Sequence, residues 1–299
     1  MKKFMRNCAI LAGVMIVLGF VMALTAAAIK GPSVIAGVKD SVVDWKDSVP
    51  WGELGDDILS GLEGLDSGIR YEIGDDVVFD SKYSVLNGNS NQSFSVDSVK
   101  NLEVEMGACE FILEESEDEE FYVEAVNAGK YQGYVSGNTL HLRGMSKTSI
   151  KNGDKGCVIR LYIPADHEFD KIEFALGAGQ ISSETGLQVG KLEIELGAGQ
   201  ITLDSVTANT LDAEVGMGSL EFAGDIRKKA EVECAMGSIQ LELAGKETDF
   251  DYKVEVAAGE ISIGDSSYAG IAGEKYIDNS ADKEIDIECA MGSIDISFE

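Results

Sequence analysis

Hydrophobic and polar residues alternate in short runs along the C-terminal part of the chain. In Leu192–Leu196, leucine or isoleucine alternates with glutamate, which is the period-2 pattern of a β-strand with one solvent-facing side. The next apolar residues, Ile201 and Leu203, follow Leu196 after an odd step, so one flat strand cannot direct both runs to the same side. Glycine permits the backbone conformations of bulges and corners, and we therefore predict that the chain turns at Gly197-Ala198-Gly199.

The same unit recurs. Its copies start at Leu102, Ile172, Leu192, Leu211, Ala230, Tyr252 and Ile285, and the central ones are spaced by 20, 19, 19 and 22 residues. A repeat of this period indicates stacked units that bury their apolar faces against each other. We therefore predict an all-β fold, namely a single-stranded β-solenoid or β-helix-like stack whose regular repeats begin at residue 171. The glycines assigned to the repeat corners are Gly177, Gly179, Gly197, Gly199, Gly216, Gly218, Gly237, Gly259 and Gly292.

Equivalent residues of stacked repeats form columns with a spacing of about 4.8 Å. The central corner residue is always alanine or methionine, and we expect it to face the core. A second column is acidic and consists of Glu195, Glu214, Glu233, Glu255 and Glu288. Because stacked like charges repel, either a divalent cation such as Ca²⁺ bridges them or they extend into water and favour solubility. Lys253 interrupts the neighbouring column, which weighs against the cation.

The five cysteines show no spacing typical of a metal site. Cys234 and Cys289 occupy one apolar column, and we interpret both as small buried hydrophobic residues. One repeat lies between them in the sequence, which predicts a separation of about 10 Å, too far for a disulfide. Cys109 and Cys157 could pair, but the sequence leaves their pairing open.

The N-terminus has the pattern of a membrane anchor. Lysines and an arginine in residues 1–8 precede Ala9–Ile29, an uncharged stretch of 21 residues that is long enough to span a bilayer. Positive charge on the N-terminal side predicts a short cytoplasmic tail at residues 1–8, a transmembrane signal anchor at 9–29 and an external remainder. The alternative is a signal peptide cleaved near Ala26–Ala28.

Residues 30–92 are predicted to form a stalk. Valines and Trp45 at helical spacing indicate a short amphipathic helix, and Trp45 and Trp51 either lie at the membrane interface or pack within the stalk. Asn87–Ser93 is interpreted as a polar linker, so the β-repeat domain is assigned to residues 93–299. Within that domain, Tyr131–Val135 and Thr139–Arg143 flank a turn and predict a hairpin.

The order of these features resembles a known family. An N-terminal signal anchor, a first LEVEMG repeat, a hairpin, a strand ending in LYIP at Leu161–Pro164, and serial glycine-cornered repeats are similar to the toastrack type of bacterial β-strand repeat domain. That family is often labelled "putative adhesin" and is otherwise of unknown function. The resemblance covers residues 93–299 and implies an extracytoplasmic β-repeat module on a single-pass bacterial membrane protein. It supplies no active-site residues.

The chemistry of the chain favours interaction over catalysis. The net charge of −29 argues against nucleic-acid binding, and the Gly-x-Gly corners precede strands instead of phosphate-binding helices. His141 and His167 lie in no catalytic spacing, and we expect both at the surface. We predict no catalytic residue, cofactor or firm metal ligand, and a role as an envelope scaffold, envelope-stress or adhesion module with a protein or cell-wall partner. The alternatives are a divalent-cation-binding surface protein and a β-helix enzyme acting on polysaccharide. For the enzyme, basic residues in the repeats are few, chiefly Arg227, Lys228 and Lys229.

The final strand, Ile294–Phe298, is followed by no capping element in the sequence. An open solenoid end exposes unpaired backbone groups, which predicts end-to-end association with a partner or a second copy. Alternatively, Phe298 and Glu299 shield this end, or residues 267–284 fold over it.

Overall fold

The computed structural model describes residues 77–116, 118–146, 156–269 and 273–299, all within the compact unit Ile73–Glu299. The predicted tail, signal anchor and most of the stalk lie outside the described residues. Within the described part of the chain, no helix is long and apolar enough to cross a membrane.

The described residues form an all-β fold. The strands are β1 (Leu86–Ser95), β2 (Asn101–Met106), β3 (Glu110–Ser116), β4 (Glu120–Ser136), β5 (Thr139–Met145), β6 (Val158–Pro164), β7 (Glu168–Leu176), β8 (Gln180–Ser183), β9 (Leu187–Leu196), β10 (Gln200–Val215), β11 (Ser219–Cys234), β12 (Ser238–Leu243), β13 (Phe250–Val256), β14 (Glu260–Ile263), β15 (Ser266–Ala269), β16 (Gly273–Ile277), β17 (Lys283–Cys289) and β18 (Ser293–Phe298). Two short 3₁₀ turns, Val96–Ser98 and Glu247–Asp249, are the helical segments of this region.

The period-2 pattern produces the strands as predicted. Leu192, Ile194 and Leu196 of β9 are buried, and Glu193 between them is partly exposed. Beyond the corner, Ile201 and Leu203 of β10 are buried again. The turn at the corner therefore directs the apolar side chains of both strands inward, although an odd number of positions separates Leu196 from Ile201. Both strands contribute to a single hydrophobic core.

Each repeat supplies one rung, meaning one strand before the corner and one after it. The strands before the corner pair in parallel and in register as a first ladder, in the spatial order β5, β2, β7, β9, the second half of β10, the second half of β11, β17 and β13. The strands after the corner form a second ladder in the order β6, β3, β8, the first half of β10, the first half of β11, β12, β18 and β14. The architecture is thus solenoid-like.

The spatial order of the rungs differs from the sequence order near the C-terminus. The last rung, β17–β18, is inserted between β11–β12 and β13–β14. The expectation of an open edge at Ile294–Phe298 is therefore wrong, because β18 has a paired strand on both sides. The end of the stack is instead formed by β13–β14, which pair in antiparallel fashion with β16 and β15.

The insertion also corrects the predicted separation of two cysteines. Cys234 and Cys289 are directly opposed partners on adjacent strands, β11 and β17. The sequence placed one repeat between them, but in the fold that repeat lies on the far side of β17. Both side chains are buried, as expected.

The N-terminal end of the stack has a similar exchange of order. The rung β5–β6 lies outside β2–β3, although it follows it in the sequence. The predicted hairpin is confirmed as β4–β5, and β4 also pairs with β6. Beyond it, β1 pairs with β4 and includes Asn87–Ser93, so these residues are a strand and not a linker. Their polar side chains suit an edge strand, which is bound through its backbone.

A disulfide joins the two rungs at this end. Cys109 follows β2 and Cys157 precedes β6, and their Cα atoms lie 4.9 Å apart. The pairing that the sequence left open is therefore present. It links the outermost rung to its neighbour and closes a sequence separation of 48 residues.

Candidate interaction surface

The acidic column predicted from the sequence exists as a continuous row on the outer side of the first ladder. Register pairs join Glu195 to Glu214, Glu214 to Glu233, Glu233 to Glu288 and Glu288 to Glu255. We call these five residues the carboxylate row. The order within the row again places the last repeat before Tyr252–Ile263, which the sequence did not indicate.

The adjacent column is largely neutralised by lysines. The carboxylate of Glu193 forms ion pairs with the ammonium groups of Lys171, at 2.5 Å, and of Lys191. Lys253 lies 2.8 Å from Glu255 and 3.3 Å from Asp286. The pairs Lys171–Glu193 and Lys253–Asp286 connect neighbouring rungs, and Lys253, at one end, also reaches Glu255 of the carboxylate row within its own strand. The remainder of that row therefore carries the stronger mutual repulsion.

This repulsion and partial burial change the protonation of the row. Burial raises the pKa of Glu195, and the neighbouring Glu214 raises it further. Burial likewise raises the pKa of Glu233, with additional contributions from Glu288 and Glu214. No group of three or more His, Cys, Asp or Glu side chains in the described ranges is arranged to hold a metal ion. The row is a ladder of single carboxylates and does not form a chelating cluster.

A raised carboxyl pKa predicts a stability change with a defined sign. The charged form of Glu233 is less favourable in the folded than in the unfolded state. The resulting loss of stability is absent below the unfolded pKa and is complete once the pH has risen through the folded pKa. Because Glu233 is largely exposed and solvent screens its charge, we expect Glu233→Gln to increase the free energy of unfolding by only about 0.5 kcal/mol at pH 7.5 and by almost nothing at pH 4. Urea unfolding at the two pH values measures both quantities.

Glu193 provides the matched control. Burial alone would raise its pKa, but hydrogen bonds from Lys171 and Lys191 outweigh burial and lower it. Its charge therefore stabilises the folded state above the unfolded pKa, and this stabilisation is lost as pH falls through the folded pKa. Glu193→Gln should destabilise the protein at pH 7.5. A change of the same sign for both variants would contradict this electrostatic account.

The corners form a second continuous surface, and here one prediction is wrong. The central corner residue does not face the core: Met217 is 51% exposed, Ala198 and Ala258 are exposed, and Met236 and Met291 are partly exposed. The turn at the corner points this side chain outward. Because the last rung is inserted, the three methionines occupy consecutive rungs, and we call Met217, Met236 and Met291 the methionine row.

Backbone hydrogen bonds hold this row in register. The amide of Met236 donates to Gly216 at 2.8 Å, and the amide of Met291 donates to Ala235 at 2.8 Å. The corners line a shallow, open groove, and its lining consists mainly of glycines, alanines, methionines and small polar residues. Each glutamate of the carboxylate row lies two residues before a corner. An apolar strip and an acidic strip therefore run side by side along the stack.

The predicted corner glycines lie between the strand before and the strand after each corner, but the conformational reason given for them does not apply. Positive φ angles occur at glycines elsewhere, such as Gly137 and Gly264, and at none of the predicted corner glycines, which are all described. At the corners the constraint is the approach of neighbouring rungs. A Cβ added at Gly218, for example, would lie 2.5 Å from the carbonyl oxygen of Gly199.

The sequence did not predict a polar cluster at the N-terminal end of the stack. Gln132 of β4 is fully buried and donates to the carbonyl groups of Asp80, at 2.8 Å, and Tyr83, at 3.0 Å. Tyr83 stacks on Tyr134 at 3.8 Å, which in turn stacks on His141. Segment 77–83 therefore covers this side of β4. No sequence signal distinguished Gln132 from a surface glutamine.

The expectation of two surface histidines is also wrong. His141 is partly buried, and its Nδ1 lies 3.0 Å from Glu103, which also accepts from Arg143. His167 packs edge-on against Phe121 and Phe169, and burial lowers its pKa. Among the described residues, neither ring belongs to a group of three or more side chains that could hold a metal ion. Both act in packing at the N-terminal rungs.

Comparisons with known proteins agree with the architecture. The family model "Toastrack DUF4097" matches residues 99–263 and again residues 185–297. Two overlapping matches fit a chain whose repeats continue over this range. A comparison with curated proteins finds no match.

Solved structures with similarity to the chain have low identity. A "putative cell adhesion protein" from Clostridium sporogenes is 10% identical, with a TM-score of 0.40, over 72% of this chain and 100% of its own. A "putative adhesin" from Bacteroides fragilis is 13% identical, with a TM-score of 0.34, over 71% and 98%. A "putative lipid binding protein" from Parabacteroides distasonis is 16% identical, with a TM-score of 0.33, over 70% and 96%. At these values they carry no argument about function, and none is named as an enzyme. The family matches span more than half of the sequence and coincide with the stacked rungs, so the chain belongs to the Toastrack DUF4097 family.

Proposed function

We propose that this protein is a membrane-anchored, extracytoplasmic interaction module of the bacterial envelope, with a scaffold, envelope-stress or adhesion role and no catalytic activity. The observation that carries the proposal is the methionine row beside the carboxylate row. Methionine side chains are flexible and polarisable and are frequent at binding surfaces, and an exposed apolar strip with a polar border is typical of an interaction site.

The Cys109–Cys157 disulfide supports the location. Disulfides persist in oxidising compartments and are rare where thiol reductants are abundant. The apolar stretch Ala9–Ile29 supplies a candidate span of sufficient length, with basic residues on its N-terminal side. Both features support a β-repeat domain outside the cytoplasmic membrane.

Site-specific crosslinking on intact cells tests the proposed surface. A photoreactive amino acid would replace Met217 in the full-length chain, and the matched control would carry it at Lys228, which is exposed but lies outside the corners. We expect Met217 to give one defined adduct with a membrane or envelope protein, and Lys228 to give none. The adduct should weaken when Met236 and Met291 are both changed to glutamine.

Three outcomes would argue against the proposal. Equal adducts from both positions would show that the methionine row is not selective. Adducts with cytoplasmic proteins would contradict the location. Release of sugar fragments from purified cell-wall glycan by the intact protein would favour the polysaccharide-acting alternative.

A further inference from the structure

Two buried thiols face each other at the junction where the last rung enters the stack. Cys234 ends β11 and Cys289 ends β17, and they are register partners on these parallel strands. Adjacent strands lie about 4.8 Å apart, which is within the Cα separation that a disulfide requires. Their side chains are 2% and 3% exposed.

The two thiols lie within hydrogen-bonding reach of each other. Their mutual hydrogen bond raises the pKa of Cys234 and lowers that of Cys289. Val215 and Val256 are the neighbours of the pair in the same column. The side chains on either side of the pair are therefore apolar, while backbone groups of the adjoining corners also hydrogen-bond to the two sulfur atoms.

The other exchange of rung order provides an independent parallel. At the N-terminal end, the rung that lies out of sequence order is joined to its neighbour by Cys109–Cys157. At the C-terminal end, the inserted rung β17–β18 meets its preceding neighbour at Cys234 and Cys289. Each out-of-order rung thus has one junction at which it and its neighbour each contribute a cysteine.

We propose that Cys234 and Cys289 form a second disulfide that secures the inserted C-terminal rung. The reaction removes two protons and two electrons from the thiols and forms one S–S bond, and a disulfide-bearing oxidant of the extracytoplasmic compartment is reduced to two thiols. One of the two thiolates attacks the oxidant and releases its first thiol, which forms a mixed disulfide, and the other cysteine then attacks that mixed disulfide and releases the oxidant's second thiol. Because the pair is buried in the folded domain, this step accompanies closure of the last rung. The inference rests on the extracytoplasmic location proposed above.

Peptide mapping of the full-length protein tests the bond. Free thiols are alkylated during denaturation of freshly lysed cells of the native organism, and the protein is digested with trypsin without reduction. We expect peptide 230–246 joined to peptide 284–299, with a mass two hydrogens below the sum of the separate peptides. Reduction should separate them.

The Cys109–Cys157 bond is the internal control in the same digest. If its peptides are joined while Cys234 and Cys289 are both alkylated, the second disulfide is overturned and the extracytoplasmic location stands. If neither pair is joined, both the second disulfide and the proposed location are overturned. Joined peptides for both pairs support the two proposals together.

A stability measurement separates a bond from a mere contact. In the Cys109→Ala/Cys157→Ala background, reductant should lower the urea midpoint by about 1 M. Adding Cys234→Val should abolish the effect of reductant. Valine is chosen because Val215 and Val256 occupy the equivalent positions on the two strands that flank the cysteine pair. A midpoint that reductant leaves unchanged in the Cys109→Ala/Cys157→Ala protein would overturn the proposal.

Discussion

Replacing Cys109 and Cys157 together with alanine is expected to lower the free energy of unfolding by about 4 kcal/mol. The bond joins residues 48 positions apart, and a loop of this size restricts the unfolded chain by approximately that amount. The bond also attaches the outermost rung, which would otherwise be held on its inner side only by the pairings of β5 with β2 and β6 with β3. We expect that rung to exchange its amide hydrogens faster in the variant.

Urea unfolding under oxidising conditions measures the loss. Both proteins should carry Cys234→Val, so that the Cys109–Cys157 bond is the one cross-link of the described residues that differs between them. Addition of reductant should bring the parent to the stability of the double variant, because both then lack the bond. An equal stability of the two proteins before reduction would contradict a structural role for this disulfide.

Gly218→Ala is expected to destabilise the protein by about 3 kcal/mol. The added Cβ would lie 2.5 Å from the Gly199 carbonyl oxygen and 2.8 Å from a side-chain carbon of Leu196. The Gly199 oxygen also accepts a hydrogen bond from the Ser219 amide, so it cannot move aside without loss of that bond. Overpacking of this kind forces the backbones of neighbouring rungs apart.

Gly156→Ala is the matched control, because a Cβ at Gly156 would meet nothing within 4 Å. We expect its midpoint in a thermal or urea melt to equal that of the parent. A destabilisation shared by both variants would contradict the overpacking explanation, because loss of glycine acts through the unfolded chain in the stabilising direction. A neutral Gly218→Ala would show that the corners have room to expand.

The order of the rungs explains why the sequence predicted the repeat but not the stack. Every repeat has the same inward pattern, so its apolar faces match those of any other repeat, and local pattern does not rank the possible neighbours. Glu233–Ile239 and Glu288–Ile294 both read ECAMGSI, and these two copies are adjacent in space. Their identity was a usable signal, since identical corners stack with matched side-chain volumes.

One part of the candidate surface could be predicted from the sequence and the other could not. The carboxylate row was predictable because its residues alternate with buried ones in a period-2 strand. The methionine row was not, because the direction of a side chain at a corner depends on backbone torsions that the alternation does not describe. The sequence placed Met217 inside, and the fold exposes it.

By itself, the sequence determined that this chain forms β-strands, where the glycine corners lie, which residues are buried along each strand, and that a signal-anchor pattern precedes the repeats. Those properties follow from side-chain alternation and backbone propensity, which are local. The tertiary structure alone decided the insertion of the last rung, the opposition of Cys234 and Cys289, the Cys109–Cys157 bond and the burial of Gln132. These depend on which rungs become neighbours, and that choice is a property of the whole stack and its antiparallel ends.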